Sequence, residues 1–193
     1  CRDNNAAVRE RVGDLEFEFV AGEFFQNNPF ILPEFVSYGV SEAKGPRFLV
    51  DAYCGVGMFA LSAAKEFERV AGIEVSANAV ECARKNAGIN NIANCSFFAG
   101  KAENIFESVS SDYPGAETSV IIDPPRSGCD MSFIGQLARF APAKIVYVSC
   151  GPDTQARDAA ELQKLGYRLE KLQPFDLFPQ TRHIECVATF LRQ

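Results

Sequence analysis

Apolar and polar residues alternate with period two over Leu15-Glu16-Phe17-Glu18-Phe19-Val20, the pattern of a half-buried strand. Further along, short continuous apolar runs take over at 48–51, 70–74, 95–99, 120–123 and 144–148. Such runs, bounded by Gly, Pro or Asn, read as strands covered on both faces. Between them, helical spacing occupies the turn at Cys54-Gly55-Val56-Gly57 through Lys65, 76–86 with Ser76 as cap, 131–140, and 153–165 up to Gly166. A short helix is predicted over 102–109, followed by a polar loop at 110–118. The runs 167–172 and 184–191 supply two closing strands. Upstream, Phe30, Ile31, Phe35 and Val36 share a helical face, with Asn28 predicted as its cap and Pro29 at its first position. Residues 1–12 are polar and read as a linker or the tail of something upstream. Strand–helix alternation at this spacing predicts an α/β fold with a mostly parallel sheet of seven strands and helices on both faces.

Composition narrows the classes. At 193 residues, 47% hydrophobic and 23% charged, the chain suits one soluble domain with a full core. No apolar run approaches the roughly 18 residues of a membrane span, and no signal peptide is evident. The chain opens on Cys1 rather than methionine, which reads as an excised fragment. Its seven cysteines (1, 54, 82, 95, 129, 150 and 186) are scattered without a C-x-x-C pair. That argues against a zinc site, an iron–sulfur cluster or a disulfide framework, and for an intracellular, reducing compartment. His183 is the only histidine, and the net charge of −6 is not that of a nucleic-acid binder.

Candidate chemistry sits where these strands end. Gly55 and Gly57 allow a tight turn after 48–51 and a close approach to a ligand; Ala60 occupies the last position of a G-x-G-x-x-G/A pattern. Glu74, about 20 residues on, ends the next strand, where an acid typically binds a ribose hydroxyl pair. This spacing fits a nicotinamide dinucleotide or S-adenosylmethionine and does not choose between them. Asp123-Pro124-Pro125-Arg126-Ser127-Gly128 closes the 120–123 strand with a stiffened loop, and Arg126 offers a planar fork of donors. Cys150 ends the 144–148 strand just before a Gly-Pro break. A lone free cysteine is more often a small buried hydrophobe than a nucleophile, so its weight comes from its neighbours.

With those residues in place, the sequence resembles the RNA (uracil-5-)-methyltransferase family, most closely its tRNA T-loop members of eukaryotic or fungal type. The resemblance runs from about Gly22 to Leu191 over five blocks: Phe24-Phe25-Gln26-Asn27-Asn28, Asp51-Ala52-Tyr53-Cys54-Gly55-Val56-Gly57-Met58-Phe59, the Asp123 loop, Val148-Ser149-Cys150-Gly151-Pro152, and Phe178-Pro179-Gln180-Thr181-Arg182-His183-Ile184-Glu185. It implies a Rossmann-like class I S-adenosylmethionine-dependent methyltransferase fold. It further implies that Gln26, Tyr53, Glu74 and Asp123 contact S-adenosylmethionine, that Cys150 is the nucleophile and Glu185 the base, and that Arg126 lies near the target base. Residues 22–193 would be the catalytic domain, and 1–21 a linker and remnant strand of an upstream domain. An RNA-binding region amino-terminal to it would supply the positive charge missing here. Gly151 stands where the family mostly has asparagine, and Met58 where asparagine or leucine is common.

The implied reaction is methylation of carbon 5 of a uridine in RNA, the T-loop uridine of tRNA foremost, by a monomer without metal. Carbon 5 of uracil is a weak nucleophile until a thiolate adds at carbon 6, and a base must then take the carbon 5 proton. Reaching carbon 6 requires the uridine out of its stack. Phe178 and His183 are weaker candidates for contact with the nucleotide. The alternatives are methylation of a ribosomal RNA uridine, a nicotinamide dehydrogenase, an amino-methyltransferase acting on a base nitrogen, and a noncatalytic RNA-binding or RNA-folding module that keeps cofactor affinity.

Overall fold

The structure is a computed structural model describing residues 6–22, 25–26, 28–100, 105–107 and 109–193. Nine strands and five helices are present among them: β1 (Ala7–Val12), β2 (Leu15–Val20), α1 (Leu32–Ala43), β3 (Phe48–Ala52), α2 (Met58–Ala63), β4 (Arg69–Glu74), α3 (Ala77–Ile89), β5 (Cys95–Ala99), β6 (Thr118–Ile122), α4 (Met131–Phe140), β7 (Lys144–Ser149), α5 (Pro152–Lys164), β8 (Tyr167–Phe175) and β9 (Glu185–Arg192). Seven strands form one sheet in the order β5-β4-β3-β6-β7-β9-β8. The five from β5 to β7 are parallel, and β9 runs antiparallel to both β7 and β8.

Successive residues of the central strands serve opposite faces, as the pleat requires. Leu49, Val70, Phe97, Ile121 and Val146 pack with α1, α2 and α3 on one side. Phe48, Val50, Ile73, Val120, Ile122, Ile145 and Tyr147 pack with Phe133, Ile134 and Leu137 of α4 and Leu162 of α5 on the other. Both faces being covered explains why these strands read as unbroken apolar runs. The chain builds outward from β3 through β4 to β5, then returns to the other side of β3 as β6. That reversal opens a crevice at the carboxyl ends of β3, β4 and β6, the place where open α/β sheets bind ligands.

Three expectations differ from the structure. Ala7–Val12 is a strand, paired antiparallel with β2 across a Gly13-Asp14 turn. Only Val12 of it is buried, so it carries no period-two apolar signal; instead Arg9 pairs with Glu16 and Glu18 across the hairpin at 2.9 and 3.1 Å. The helix expected from Pro29 begins at Leu32, after Ile31, with Pro33 in its first turn. Asn28 is engaged elsewhere: its Nδ2 donates to the Leu177 carbonyl at 3.0 Å and its Oδ1 accepts from Phe30 N–H at 3.3 Å. Residues 29–31 therefore turn, and Phe30 is 95% exposed. Half of the helix predicted over 102–109 falls outside the described residues, and its described residues, 105–107 and 109, lie in turns. The Ser76 cap is present, its Oγ accepting from Ala79 N–H at 3.3 Å.

Candidate active site

The β3–α2 turn begins with an acid inside an apolar strand. Asp51, 1% exposed, uses one carboxylate oxygen to accept the Ala60 N–H at 2.9 Å, in the first turn of α2. The other, Oδ1, is buried and has no partner among the described residues. Tyr53 follows with φ +68°, a left-handed conformation that costs a non-glycine residue roughly 1 kcal/mol or more and is held only by its surroundings. Its N–H and that of Cys54 both donate to the Ile73 carbonyl, at 3.0 and 3.1 Å, and its ring packs 5.2 Å from that of Phe133. Gly57, at φ +88°, turns the chain into α2 above Phe97, whose ring would lie 3.1 Å from any added Cβ. Glu74 faces this turn from β4, accepting from Gly55 N–H at 3.1 Å and from Ser76 N–H at 2.9 Å. With one backbone donor on each oxygen, the carboxylate retains capacity for hydroxyl donors.

The electrostatics favour a cation. Asp51 is pushed well above the usual carboxylate range by burial, and the charges of Asp123 and Glu74 add to the rise. Burial pushes Asp123, just past β6, up to about 7. An α-helix start normally welcomes phosphate, but here the start of α2 is occupied by the chain's own Asp51 carboxylate. Glu74 and Asp123 both act on Asp51 to disfavour a further negative charge there, which weighs against a pyrophosphate and hence a dinucleotide.

The crevice continues to the end of β7. Cys150 is half-buried there, sharing a cavity of about 550 Å³ with Arg126, Gly151, Thr154, Arg182 and His183. Burial and the charge of Glu185 raise the thiol pKa, whereas the Arg126 guanidinium beside it pulls the pKa down. Glu185 opens β9 and is 3% exposed; burial, helped by Asp123, pushes it up to about 8 against the opposing pull of Arg126. Four candidates from three segments, Asp123 and Arg126 of one loop, Cys150 and Glu185, thus act on one another electrostatically at one end of the sheet. Cys186 turns the other way and is buried, as strand alternation requires. Gln26 is buried beside Phe25, and among the described residues none of the other candidates hydrogen-bonds it. Phe24 and Asn27 of the same block lie outside the described residues. His183 stacks edge-on to Phe178 at 6.2 Å, and its backbone N–H donates to Thr181 Oγ1 at 3.1 Å.

Asp51 carried no assigned part in the sequence; an acid inside a strand that is buried at every position was the available signal. The residues of α5 that touch the Arg126 loop gave no signal, because their partners lie about 30 residues away.

A parallel sheet turned about β3, helices on both faces and an acidic crevice at the switch point define the Rossmann-like fold of class I S-adenosylmethionine-dependent methyltransferases. Comparison with solved structures agrees: the M. jannaschii tRNA m1G37 methyltransferase shares the fold with a TM-score of 0.73 at 15% identity over 99% of this chain and 58% of that one. The chain belongs to the tRNA (uracil-5-)-methyltransferase family, whose model matches residues 3–193. It is 45% identical to the tRNA (uracil(54)-C(5))-methyltransferase of Schizosaccharomyces pombe over 98% of its length, and 46% identical to that of Saccharomyces cerevisiae over 96%. It spans only 38% and 31% of those two relatives. The Pyrococcus abyssi tRNA (uracil-54, C5)-methyltransferase, solved with S-adenosyl-L-homocysteine, superposes with a TM-score of 0.83 at 33% identity, covering 96% of this chain and 44% of that one.

Proposed function

We propose that residues 22–193 bind S-adenosylmethionine in the acidic crevice and methylate carbon 5 of a uridine in RNA, the T-loop uridine of tRNA, through a covalent link to Cys150. The observation that carries this reading is the convergence of a thiol, an arginine and two carboxyls of raised pKa beside a crevice suited to a cation. The residues fit the cofactor: Glu74 has spare acceptors for ribose hydroxyls, Asp51 Oδ1 is a buried acceptor without a donor among the described residues, and Asp123 adds charge complementary to a sulfonium. When bound, it supplies an electrophilic methyl group on a positively charged sulfur.

The chain's own residues do the rest. Cys150, as thiolate, adds to carbon 6 of the uracil, placing an electron pair where carbon 5 can attack the methyl group. Arg126 favours that thiolate and faces the same cavity as the incoming base. Once the carbon–carbon bond has formed, Glu185 accepts the carbon 5 proton; the pair left behind expels Cys150 and restores the double bond. A carboxyl held near 8 is matched to proton transfer near neutral pH. The relatives are more than twice as long and this chain carries a net charge of −6, so the reading assigns most contacts with the RNA backbone to an amino-terminal region. It describes a monomer working in a reducing, intracellular compartment, where Cys150 stays a thiol.

The test is tRNA containing 5-fluorouracil, with S-adenosylmethionine, offered to this chain and to a chimera joining it to the amino-terminal part of the S. pombe relative. Fluorine cannot leave as a proton, so a protein–RNA adduct should survive a denaturing gel and be absent with Cys150→Ala. With ordinary tRNA, Glu185→Gln should accumulate the adduct that the native protein resolves. A chimera that binds the tRNA but forms no adduct overturns the uracil reading and favours the noncatalytic module.

A further inference from the structure

Helix α5 starts two residues after Cys150 and grips the loop that carries Arg126. Thr154 Oγ1 lies 3.1 Å from the Arg126 carbonyl and 2.9 Å from that of Gly151, so its one proton is shared between the loop and the segment holding the cysteine. Arg157 Nη2 donates to the carbonyls of Ser127 at 3.1 Å and Cys129 at 3.2 Å. Asp158, fully buried, orders that guanidinium: its Oδ1 receives Arg157 Nε at 2.8 Å and lies 2.7 Å from Nη2 in an ion pair. Its Oδ2 receives the Cys129 N–H and the Tyr147 hydroxyl, both at 2.7 Å, which ties the loop to β7 as well. The loop is shaped for this grip. Gly128 sits at φ +77°, and a Cβ there would fall 2.6 Å from Asp158 Oδ2 and 2.7 Å from Arg157 Nη2.

A buried carboxylate and an arginine that hydrogen-bond Ser127 and Cys129 of one short loop do more than anchor a helix. We propose that Thr154, Arg157 and Asp158 are positioning residues: through them α5 fixes the 123–130 loop where the Arg126 guanidinium meets the Cys150 sulfur. None of the three is assigned a place in the reaction itself. The inference rests on Cys150 as nucleophile, yet it concerns the geometry between two side chains and is measurable without cofactor or RNA. A loosened loop lets Arg126 drift from the sulfur, and the thiol then loses the neighbour that, among the described residues, favours its ionised form.

The experiment follows alkylation of Cys150 by iodoacetamide from pH 6 to 10, read peptide by peptide by mass spectrometry because the chain has seven cysteines. Arg126→Gln sets the scale of a lost guanidinium. Replacing buried Asp158 endangers the fold, so the test uses Arg157→Gln, whose side chain is about half exposed, and Thr154→Val against Thr154→Ser. Arg157→Gln and Thr154→Val should move the midpoint upward by about half a unit or more, a loss of roughly threefold in rate below the midpoint. Thr154→Ser, which keeps the hydroxyl, should track the native protein. A shift in Arg126→Gln alone would show that the loop holds itself, and midpoints unchanged in all variants would show that Arg126 does not govern the thiol; either result overturns the proposal. Shifts as expected without any fluorouracil adduct would uphold the clamp and sink the methyltransferase reading instead.

Discussion

Asn86→Ala should be among the most damaging changes remote from the reacting groups. Asn86 and Asn90 lie one helical turn apart on α3, a rise of about 6 Å, close to the rise of two residues along a strand. Each therefore reaches one residue of β2 and closes a pair of hydrogen bonds with its backbone. Asn86 Oδ1 accepts from Glu18 N–H at 2.7 Å and its Nδ2 donates to Glu18 O at 3.1 Å; Asn90 does the same with Glu16 at 2.9 and 2.7 Å. Asn86 Nδ2 also donates to the Val56 carbonyl at 3.1 Å, joining the hairpin to the crevice turn. Since Asn86 is fully buried, truncation removes three bonds worth about 1 kcal/mol each and strands their partners, some of which water can reach from the half-buried edge of β2. We expect a loss of about 2–4 kcal/mol in urea unfolding, which for a domain of this size lowers Tm by roughly 5–15 °C. Asn90→Ala, half-buried, should lose about 1 kcal/mol, and Glu81→Ala on the exposed face of α3 almost nothing. A loss below about 1 kcal/mol for Asn86→Ala, with unchanged denaturant slope, would refute the claim that these amides hold the hairpin.

Glu185 is held at about 8, above its unfolded value of 4.5, so the folded protein binds more protons than the unfolded chain between those limits. Its contribution to stability is complete below about 4.5 and fades as pH rises through about 8, and Glu185→Gln should flatten that part of a Tm-versus-pH curve. With Asp123 pushed to about 7, binding of S-adenosylmethionine near pH 7 should release protons, and the uncharged S-adenosylhomocysteine should release fewer; calorimetry in buffers of different ionisation enthalpy checks the difference. Gly72→Ala should be destabilised, since its Cβ would stand 2.5 Å from the Phe97 ring and 2.9 Å from Cys54 Sγ inside the core; a melt unchanged from the native protein would mean the ring moves freely.

Helices on both faces and the ends of the central strands were legible because a strand buried on both faces writes itself as an apolar run, as in Val70–Ile73 or Ile145–Val148. Cys150, Glu74 and Asp123 were legible for the same reason: each is a polar residue at the stop of such a run, and strand ends in a parallel sheet gather at one edge. The charged strand Ala7–Val12 was hidden, since its partners are side chains of β2 and it buries almost nothing. Asn28 was read only as a cap, Asn86 only as the end of the 76–86 helix, and Asn90 drew no tertiary expectation, because local propensity is what a short polar residue shows along the chain. Their amides bond across 149, 68 and 74 residues instead. The acidity of the crevice, and hence its preference for a cation over a pyrophosphate, belongs to the tertiary structure alone. Asp51, Glu74, Asp123 and Glu185 are spread over more than 130 positions, and only the return of the chain across β3 brings their fields together in a medium that water no longer screens.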